Sequence, residues 1–98
     1  MPTPIRDDEL ARAIALLGQK VRARREALGM SQEELGLRCQ MDRKAIQNVE
    51  YGRSSTKKDG AYRPGNPKLD TIFTIAKVLD ISVAYLVDPT RPVENQIR

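Results

Sequence analysis

Four polar side chains in the middle of the chain have types and spacing that suit the recognition of nucleic-acid bases. They are Arg43, Lys44, Gln47 and Asn48. Residues three and four positions apart share one face of a helix. Arginine and lysine donate hydrogen bonds to guanine, and glutamine and asparagine form paired hydrogen bonds with adenine in the DNA major groove. A solvated helix face is the simpler alternative, but the chemistry of this face suits the edges of base pairs.

Two short helices are expected around these residues, each with its own starting signal. Ser31 followed by Glu34 is a capping box, in which each side chain bonds a backbone N–H group, so a helix begins at Gln32. Asp42 is a good N-cap for a second helix, which carries the polar face. The inward positions of the two helices are Leu35, Cys39, Ala45, Ile46 and Val49. The pattern predicts two helices joined by a tight turn.

A longer helix is predicted before this pair. It runs from near Ile5 to Leu28 and ends at Gly29, which supplies the left-handed residue that often closes a helix. Its apolar positions recur at helical spacing: Leu10, Ile14, Leu17, Val21 and Leu28.

Two more helices are predicted in the last third of the chain. The fourth opens at Pro67 and is largely buried, because apolar residues cover most of its surface. These residues are Leu69, Ile72, Phe73, Ile75, Ala76 and Leu79. A short fifth helix, capped by Ser82, runs from Val83 to Val87.

Residues 53–66, between the third and fourth helices, show no hydrophobic period and are rich in Gly and Ser. The sequence therefore predicts an all-α fold, a compact five-helix domain with a long basic loop between helices 3 and 4. The loop carries Lys57, Lys58 and Arg63, which fit a solvated surface and phosphate contact equally well.

Composition limits the class of protein. The 98 residues are 40% hydrophobic and 31% charged, which is typical of one folded domain and not of a disordered chain. Lys and Arg number 17 against 13 Asp and Glu, a balance that suits a polyanionic partner. Without histidine or a cysteine pair, the usual metal sites and catalytic triads are excluded, so we expect no enzyme and no cofactor. Cys39 is expected to be a small buried hydrophobe, and the absence of a long apolar run favours a cytoplasmic protein.

From about Leu17 to Val87 the chain resembles the lambda-repressor-like, or XRE-type, helix-turn-helix family of transcriptional regulators. The landmarks occur in order: Arg24 and Arg25, then Gly29 to Leu35, then Ile46 to Glu50 with Gly52, then Pro67, Lys68, Leu69, Ile72, Ile75, Ala76, Leu79, Ile81, Ser82 and Leu86. In size and layout the chain is similar to restriction-modification controller proteins and phage repressors. The resemblance implies a DNA-binding domain over residues 10–87, between an arm with the start of helix 1 (residues 1–9) and a polar tail (residues 88–98).

The resemblance also implies roles for individual residues. The helix after Asp42 enters the major groove in this family, which nominates Arg43, Lys44, Gln47 and Asn48 as base contacts. Arg25 and Glu50 match a structural ion pair. Gln32 matches a family position that contacts phosphate. Arg53, just past this helix, is expected to contact phosphate because of its position. Lys57, Lys58 and Arg63 are candidate phosphate contacts because of their charge, since the family pattern assigns the loop no role.

Two positions depart from the family pattern. Gln40 stands in the tight turn where a left-handed glycine is usual, at a cost on the order of 1 kcal/mol. Gly36 replaces a family alanine at a site where the two helices pack closely, which preserves small size but lowers helix propensity.

The resemblance further implies a homodimer that binds a palindromic operator in double-stranded DNA. The expected dimer contacts are Val83, Tyr85, Leu86 and Val87, which could also simply close the core of their own chain, so we expect a mixed role. Glu33 matches a position that touches RNA polymerase in some activators, although the helix dipole alone explains an acid there. The alternative function is an antitoxin whose main partner is a toxin protein, with residues 1–6 and 87–98 as its spare segments. No membrane partner or small-molecule ligand is expected.

Overall fold

The computed structural model describes residues 7–94, apart from the side chains of residues 7, 55–58 and 62–64. Over that range the elements are α1 (Asp7–Ala27), α2 (Gln32–Cys39), α3 (Arg43–Glu50), β1 (Arg53–Lys58), β2 (Ala61–Pro64), α4 (Leu69–Leu79) and α5 (Val83–Val87). All five predicted helices are present. The predicted start of the first helix at Ile5 lies outside the described residues, and α4 begins two residues after the predicted Pro67.

Both predicted N-caps of the helix pair are formed. The Ser31 hydroxyl accepts a hydrogen bond from the Glu34 N–H at 3.0 Å, and the Asp42 carboxylate accepts one from the Ala45 N–H at 2.8 Å. The Glu34 carboxylate accepts a hydrogen bond from Arg38 at 2.8 Å. The reciprocal half of the predicted capping box is therefore replaced by an exposed ion pair one turn along α2.

The turn between α2 and α3 keeps the left-handed geometry despite its unusual residue. Gln40 has φ 58° and ψ 41°, the conformation that favours glycine. The close packing expected at Gly36 is also present, because a Cβ there would lie 2.7 Å from the Met41 carbonyl oxygen. The absence of a side chain at residue 36 lets the turn fold tightly against α2.

The segment predicted as a long basic loop is an antiparallel β-hairpin. Its register pairs are Arg53 with Pro64, Lys57 with Tyr62 and Lys58 with Ala61, with an irregularity between Arg53 and Lys57. Asp59 and Gly60 connect the strands with φ of 54° and 81°, as two-residue primed turns require. The predicted helical fold is confirmed, but the predicted long loop is wrong, because the strands are too polar to show the apolar alternation by which a strand is usually detected.

The helices enclose a single hydrophobic core. Its buried members are Leu17, Val21, Met30, Leu35, Cys39, Ile46, Val49, Ile72, Ile75, Ala76, Leu79, Tyr85 and Leu86. The prediction that α4 is largely buried is wrong for Leu69 and Phe73, which are 65% and 55% exposed. Leu10 and Leu28, placed on the inward stripe of the first helix by their spacing, also lie at the surface.

A buried lysine fastens α5 to α1. The Lys20 Nζ donates hydrogen bonds to the carbonyl oxygens of Tyr85 at 2.7 Å and Asp88 at 2.9 Å, and it lies 4.6 Å from the centre of the Tyr85 ring. Burial lowers the pKa of Lys20 below its ordinary value. The two carbonyl oxygens and the ring supply the polar contacts that a buried ammonium requires.

Candidate nucleic-acid interface

The outward side of α3 is a polar surface, which we call the α3 face. It consists of the exposed Arg43 and Lys44 and the half-buried Gln47 and Asn48. The carboxylate within α3 belongs to Glu50, which is buried on the opposite side. The α3 face therefore presents cations and amides without an acidic side chain from the same helix.

Packing holds α3 rigidly beneath this face. Ile46 and Val49 are buried in the core. A Cβ at Gly18 would lie 2.5 Å from the Glu50 carbonyl oxygen, so the backbone of α1 is in direct contact with the end of α3. This close approach sets the position of α3 relative to the longest helix.

A buried ion pair joins α1 to the end of α3. Arg25 donates from Nε to Glu50 Oε2 at 2.6 Å and from Nη2 to Oε1 at 3.1 Å, and only 9% of the Arg25 side chain and 0% of the Glu50 side chain are exposed. The hydrogen bond that Arg25 donates to Glu50 raises the pKa of Arg25 above its ordinary value. The pair implied by the family resemblance is thus present. Gln32 joins it by donating from Nε2 to Glu50 Oε1 at 3.1 Å, a contact that the sequence did not reveal.

Arg53, the first residue of β1, contacts the α3 face. Its Nε donates a hydrogen bond to Asn48 Oδ1 at 3.1 Å. Its guanidinium carbon lies 4.7 Å from the centre of the Tyr51 ring, within the range of a cation–π contact. A side chain expected to contact phosphate is therefore bonded to a residue expected to contact bases.

Tyr51 is a candidate that the sequence reasoning missed. It follows α3 directly, is 52% exposed, and lies four residues after Gln47 and three after Asn48. The helical spacing of the polar residues, continued one step beyond Asn48, would have found it. Tyr51 lines a shallow groove with Gln32 and Arg43, so the predicted phosphate-contact residue Gln32 lies beside the α3 face.

A second groove lies on the other flank of α3, between that helix, the hairpin and the start of α4. Among its lining residues are Asn48, Arg53, Ser54, Lys68 and Thr71. The predicted phosphate contacts Lys57, Lys58 and Arg63 lie on the strands of the hairpin, and their side chains are outside the described part. Two residues separate α3 from β1, so the hairpin that carries these cations begins directly beyond the α3 face.

The predicted dimer residues occupy two different environments. Tyr85 and Leu86 are 7% and 1% exposed within the core of their own chain, which agrees with the core-closing part of the expected mixed role, and their contact with a second copy stays a prediction. Val83 is partly buried against the core, and Val87 is 44% exposed. Leu69 and Phe73 on α4, which the sequence placed in the core, are also exposed, at 65% and 55%.

Three further features of the described part of the chain concern metal ligands, membrane-spanning helices and the thiol of Cys39. Between residues 7 and 94, no group of three or more Asp, Glu or Cys side chains could hold a metal ion. None of the helices described there combines the length and apolar character required to cross a bilayer. Cys39 is buried, as predicted, and burial raises the pKa of its thiol.

Two short capped helices joined by a tight turn, with the second polar on its outward side, define a helix-turn-helix domain. Comparisons with known proteins agree. A family model described as helix-turn-helix matches residues 21–59. No curated protein sequence matches the chain.

Solved structures extend the match beyond the helix pair. The restriction-modification controller protein C.AhdI from Aeromonas hydrophila is 32% identical, with a TM-score of 0.60 over 74% of this chain and 94% of that one. A hypothetical transcription factor from Neisseria, NHTF, is 28% identical, with a TM-score of 0.63 over 92% and 88%. The P22 c2 repressor, solved with a synthetic operator, is 28% identical, with a TM-score of 0.58 over 76% and 96%. The chain belongs to the lambda-repressor-like, XRE-type family of helix-turn-helix DNA-binding regulators.

Proposed function

We propose that the chain is a sequence-specific regulator of transcription that binds a palindromic operator as a homodimer, with α3 in the major groove. The observation that carries this proposal is the α3 face, a row of cations and amides on a helix whose own carboxylate is buried against Arg25. Such a face attracts the DNA backbone and offers the hydrogen-bonding groups that distinguish base pairs. The similarity to a controller protein and to a repressor solved with an operator supports the same function.

The residues of the α3 face divide into two chemical types. Arg43 and Lys44, in the first turn, are long cations suited to the N7 and O6 acceptors of guanine. Gln47 and Asn48 carry amides that both donate and accept, which suits adenine. In this proposal the four side chains read successive base pairs of one half-site.

Phosphate contacts would fix the position of α3 on the DNA. Gln32 lies in the first turn of α2, where the helix dipole favours an anion. One N–H of its amide is donated to Glu50, which orients the amide group so that the second N–H has a defined direction. The hairpin would add Lys57, Lys58 and Arg63 as contacts to the backbone beside the half-site, since its strands offer charge and hydrogen bonds but little apolar surface.

Exposed apolar residues supply a surface for a second copy of the chain. Leu69 and Phe73 are four residues apart on α4 and so lie on one side of that helix. Val87, at the end of α5, lines a groove with Ile72 of α4. Burial of such side chains between two copies would be favourable by about 25 cal/mol for each Å² removed from water. A two-fold dimer would present its two α3 helices to half-sites roughly one helical turn, ~34 Å, apart.

The dimer surface is tested by replacing Phe73 with glutamate and measuring the mass in solution by sedimentation equilibrium. The wild type should be dimeric and Phe73→Glu monomeric at the same concentration. Leu37→Glu is the matched control, because Leu37 is also an exposed apolar residue, at 73%, but belongs to α2. A wild type that stays monomeric at all concentrations, or equal effects of the two variants, would contradict the proposed surface.

The hairpin contacts are tested through the salt dependence of binding. Each phosphate contact to duplex DNA contributes about 0.9 to the slope of log K against log salt concentration. Lys57→Gln with Lys58→Gln should therefore lower the slope by up to about 1.8. Arg12→Gln with Lys77→Gln removes two exposed cations from α1 and α4 and should leave the slope unchanged. Equal slopes for all three proteins would exclude the hairpin as a phosphate contact.

The function as a whole is tested by selecting DNA from a random duplex library and titrating the selected duplex against a scrambled control at several salt concentrations. A palindrome bound at least ~1,000-fold more tightly than the control would support a specific dimeric regulator. The absence of an enriched motif, with equally salt-sensitive binding to both duplexes, would contradict it. In that case the search would turn to protein partners, as the antitoxin alternative requires.

A further inference from the structure

We propose that Arg53 is a specificity-determining residue: it holds the side-chain amide of Asn48 in one orientation, so that Asn48 presents its Nδ2 group to a base. This inference rests on the proposed function, in which the α3 face lies in the major groove. It assigns Arg53 a role different from the phosphate contact that its position after α3 suggests.

The geometry around Arg53 carries the inference. The Nε–H of Arg53 points to Asn48 Oδ1, with 3.1 Å between the two heavy atoms, and both residues are half-buried. The guanidinium group is stacked at 4.7 Å on the ring of Tyr51. A planar guanidinium that is stacked on one residue and bonded to another has little freedom to turn.

The backbone at the base of the hairpin limits the movement of Arg53 further. Arg53 pairs with Pro64 in the sheet, and the Gly65 N–H donates a hydrogen bond to the Gly52 carbonyl at 2.8 Å. A Cβ at Gly65 would lie only 2.9 Å from the Arg53 nitrogen, so the two chain segments are in direct contact there. The hairpin therefore holds Arg53 in place beside α3.

The orientation of Asn48 matters because the two ends of its amide recognise different atoms. The oxygen accepts hydrogen bonds and the nitrogen donates two. An amide that can turn over presents either end, whereas a bond from Arg53 to Oδ1 keeps the nitrogen on the opposite side. The acceptors that Nδ2 can bond in the major groove are purine N7, guanine O6 and thymine O4. Arg53 would thus restrict the base pairs that Asn48 tolerates.

A lysine at residue 53 separates this role from a phosphate contact. Lysine keeps the charge, but its ammonium has neither the Nε–H nor the flat surface of a guanidinium. If Arg53 acts only on phosphate, Arg53→Lys should bind DNA much like the wild type. If Arg53 positions Asn48, the same change should weaken recognition at one base pair and leave the rest of the interaction intact.

The experiment uses the duplex that the wild type selects from a random library, together with duplexes that change each base pair of the half-site in turn. Arg53→Lys should keep the wild-type salt slope but lose about tenfold in discrimination at one base pair. Asn48→Ala should lose discrimination at the same base pair, and the double variant should lose no more than Asn48→Ala alone. Arg12→Lys, at an exposed position of α1, should match the wild type throughout.

A second variant tests the orientation without altering Arg53. Asn48→Asp keeps an oxygen for Arg53 but replaces the donor by an acceptor, so it should discriminate at that base pair no better than Asn48→Ala. If Asn48→Asp reads the base pair as the wild type does, the oxygen faces the base and the inference is wrong. It is also wrong if Arg53→Lys discriminates normally everywhere, or loses affinity equally for all duplexes. If the wild type selects no motif at all, the proposed function fails and this inference fails with it.

Discussion

Removal of Glu50 should destabilise the chain severely, and removal of its partner as well should restore part of the loss. Glu50→Leu leaves the buried Arg25 guanidinium with only the longer ion pair to the exposed Glu26, at 4.0 Å, and breaking a buried pair in this way costs about 3–5 kcal/mol. A domain of this size has a free energy of unfolding of about 5–15 kcal/mol. The single substitution should therefore remove a large share of the total stability.

The double variant, Arg25→Met with Glu50→Leu, should be more stable than Glu50→Leu alone. It removes both charges, and replacement of a buried pair by apolar side chains is often close to neutral. Two contacts are still lost: Arg25 Nη1 no longer donates to the Met30 carbonyl oxygen, at 2.8 Å, and the half-buried Gln32 loses its Glu50 acceptor, at 3.1 Å. An unpaired buried acceptor costs about 1–3 kcal/mol, so the double variant should lose about that much.

Urea denaturation of the wild type, both single variants and the double variant measures the coupling. The control is Arg38→Met, which breaks an ion pair of similar length, 2.8 Å, in which 55% and 44% of the two side chains are exposed. Exposed pairs contribute at most about 1 kcal/mol. If the losses at Arg25 and Glu50 simply add, or if Arg38→Met costs as much as Glu50→Leu, the assignment of a buried stabilising pair is refuted.

Further predictions concern the turn, the thiol and the buried lysine. Gln40→Gly should raise the free energy of unfolding by about 1 kcal/mol, because glycine adopts the left-handed conformation without strain. Asp80→Gly, at φ 56°, should raise it less. A Gln40→Gly variant that is less stable than the wild type in thermal unfolding would contradict this prediction. Burial raises the pKa of Cys39, so the folded state holds the thiol proton more tightly, and stability should fall as pH rises past about 8.5. Cys39→Val should abolish that fall, and an unchanged pH profile would exclude the thiol as its cause. Lys20→Met leaves the Tyr85 and Asp88 carbonyl oxygens without their donor, so it should lower the free energy of unfolding by about 1–3 kcal/mol. Urea denaturation measures this loss. An unchanged stability would mean that Lys20 does not fasten α5 to α1.

The features that the sequence predicted correctly depend on local chemistry. The caps at Ser31 and Asp42 join groups three residues apart, so their spacing alone identifies them. The polar positions of α3 follow from the period of the helix. Helix existence and the location of the α3 face were accordingly predictable.

The features that the sequence did not predict depend on contacts between elements. The strands of the hairpin have few apolar residues, and the Asp59-Gly60 pair was their one local signal. Leu69 and Phe73 have the apolar character of core residues, but they lie on the outer side of α4, where the described residues leave them 65% and 55% exposed. The contact of Arg53 with Asn48 needs the hairpin to turn back toward α3, which spacing along the chain does not show.

Recognition of base pairs by the α3 face is tested most directly by a substitution at Gln47. On the selected operator, Gln47→Ala should weaken binding by about 1–3 kcal/mol, while binding to a scrambled duplex should change little. Gln19→Ala, which removes an exposed glutamine from α1, should leave both affinities as they are in the wild type. Equal losses for Gln47→Ala on the operator and on the scrambled duplex would show that Gln47 does not read bases, and would contradict base recognition by the α3 face.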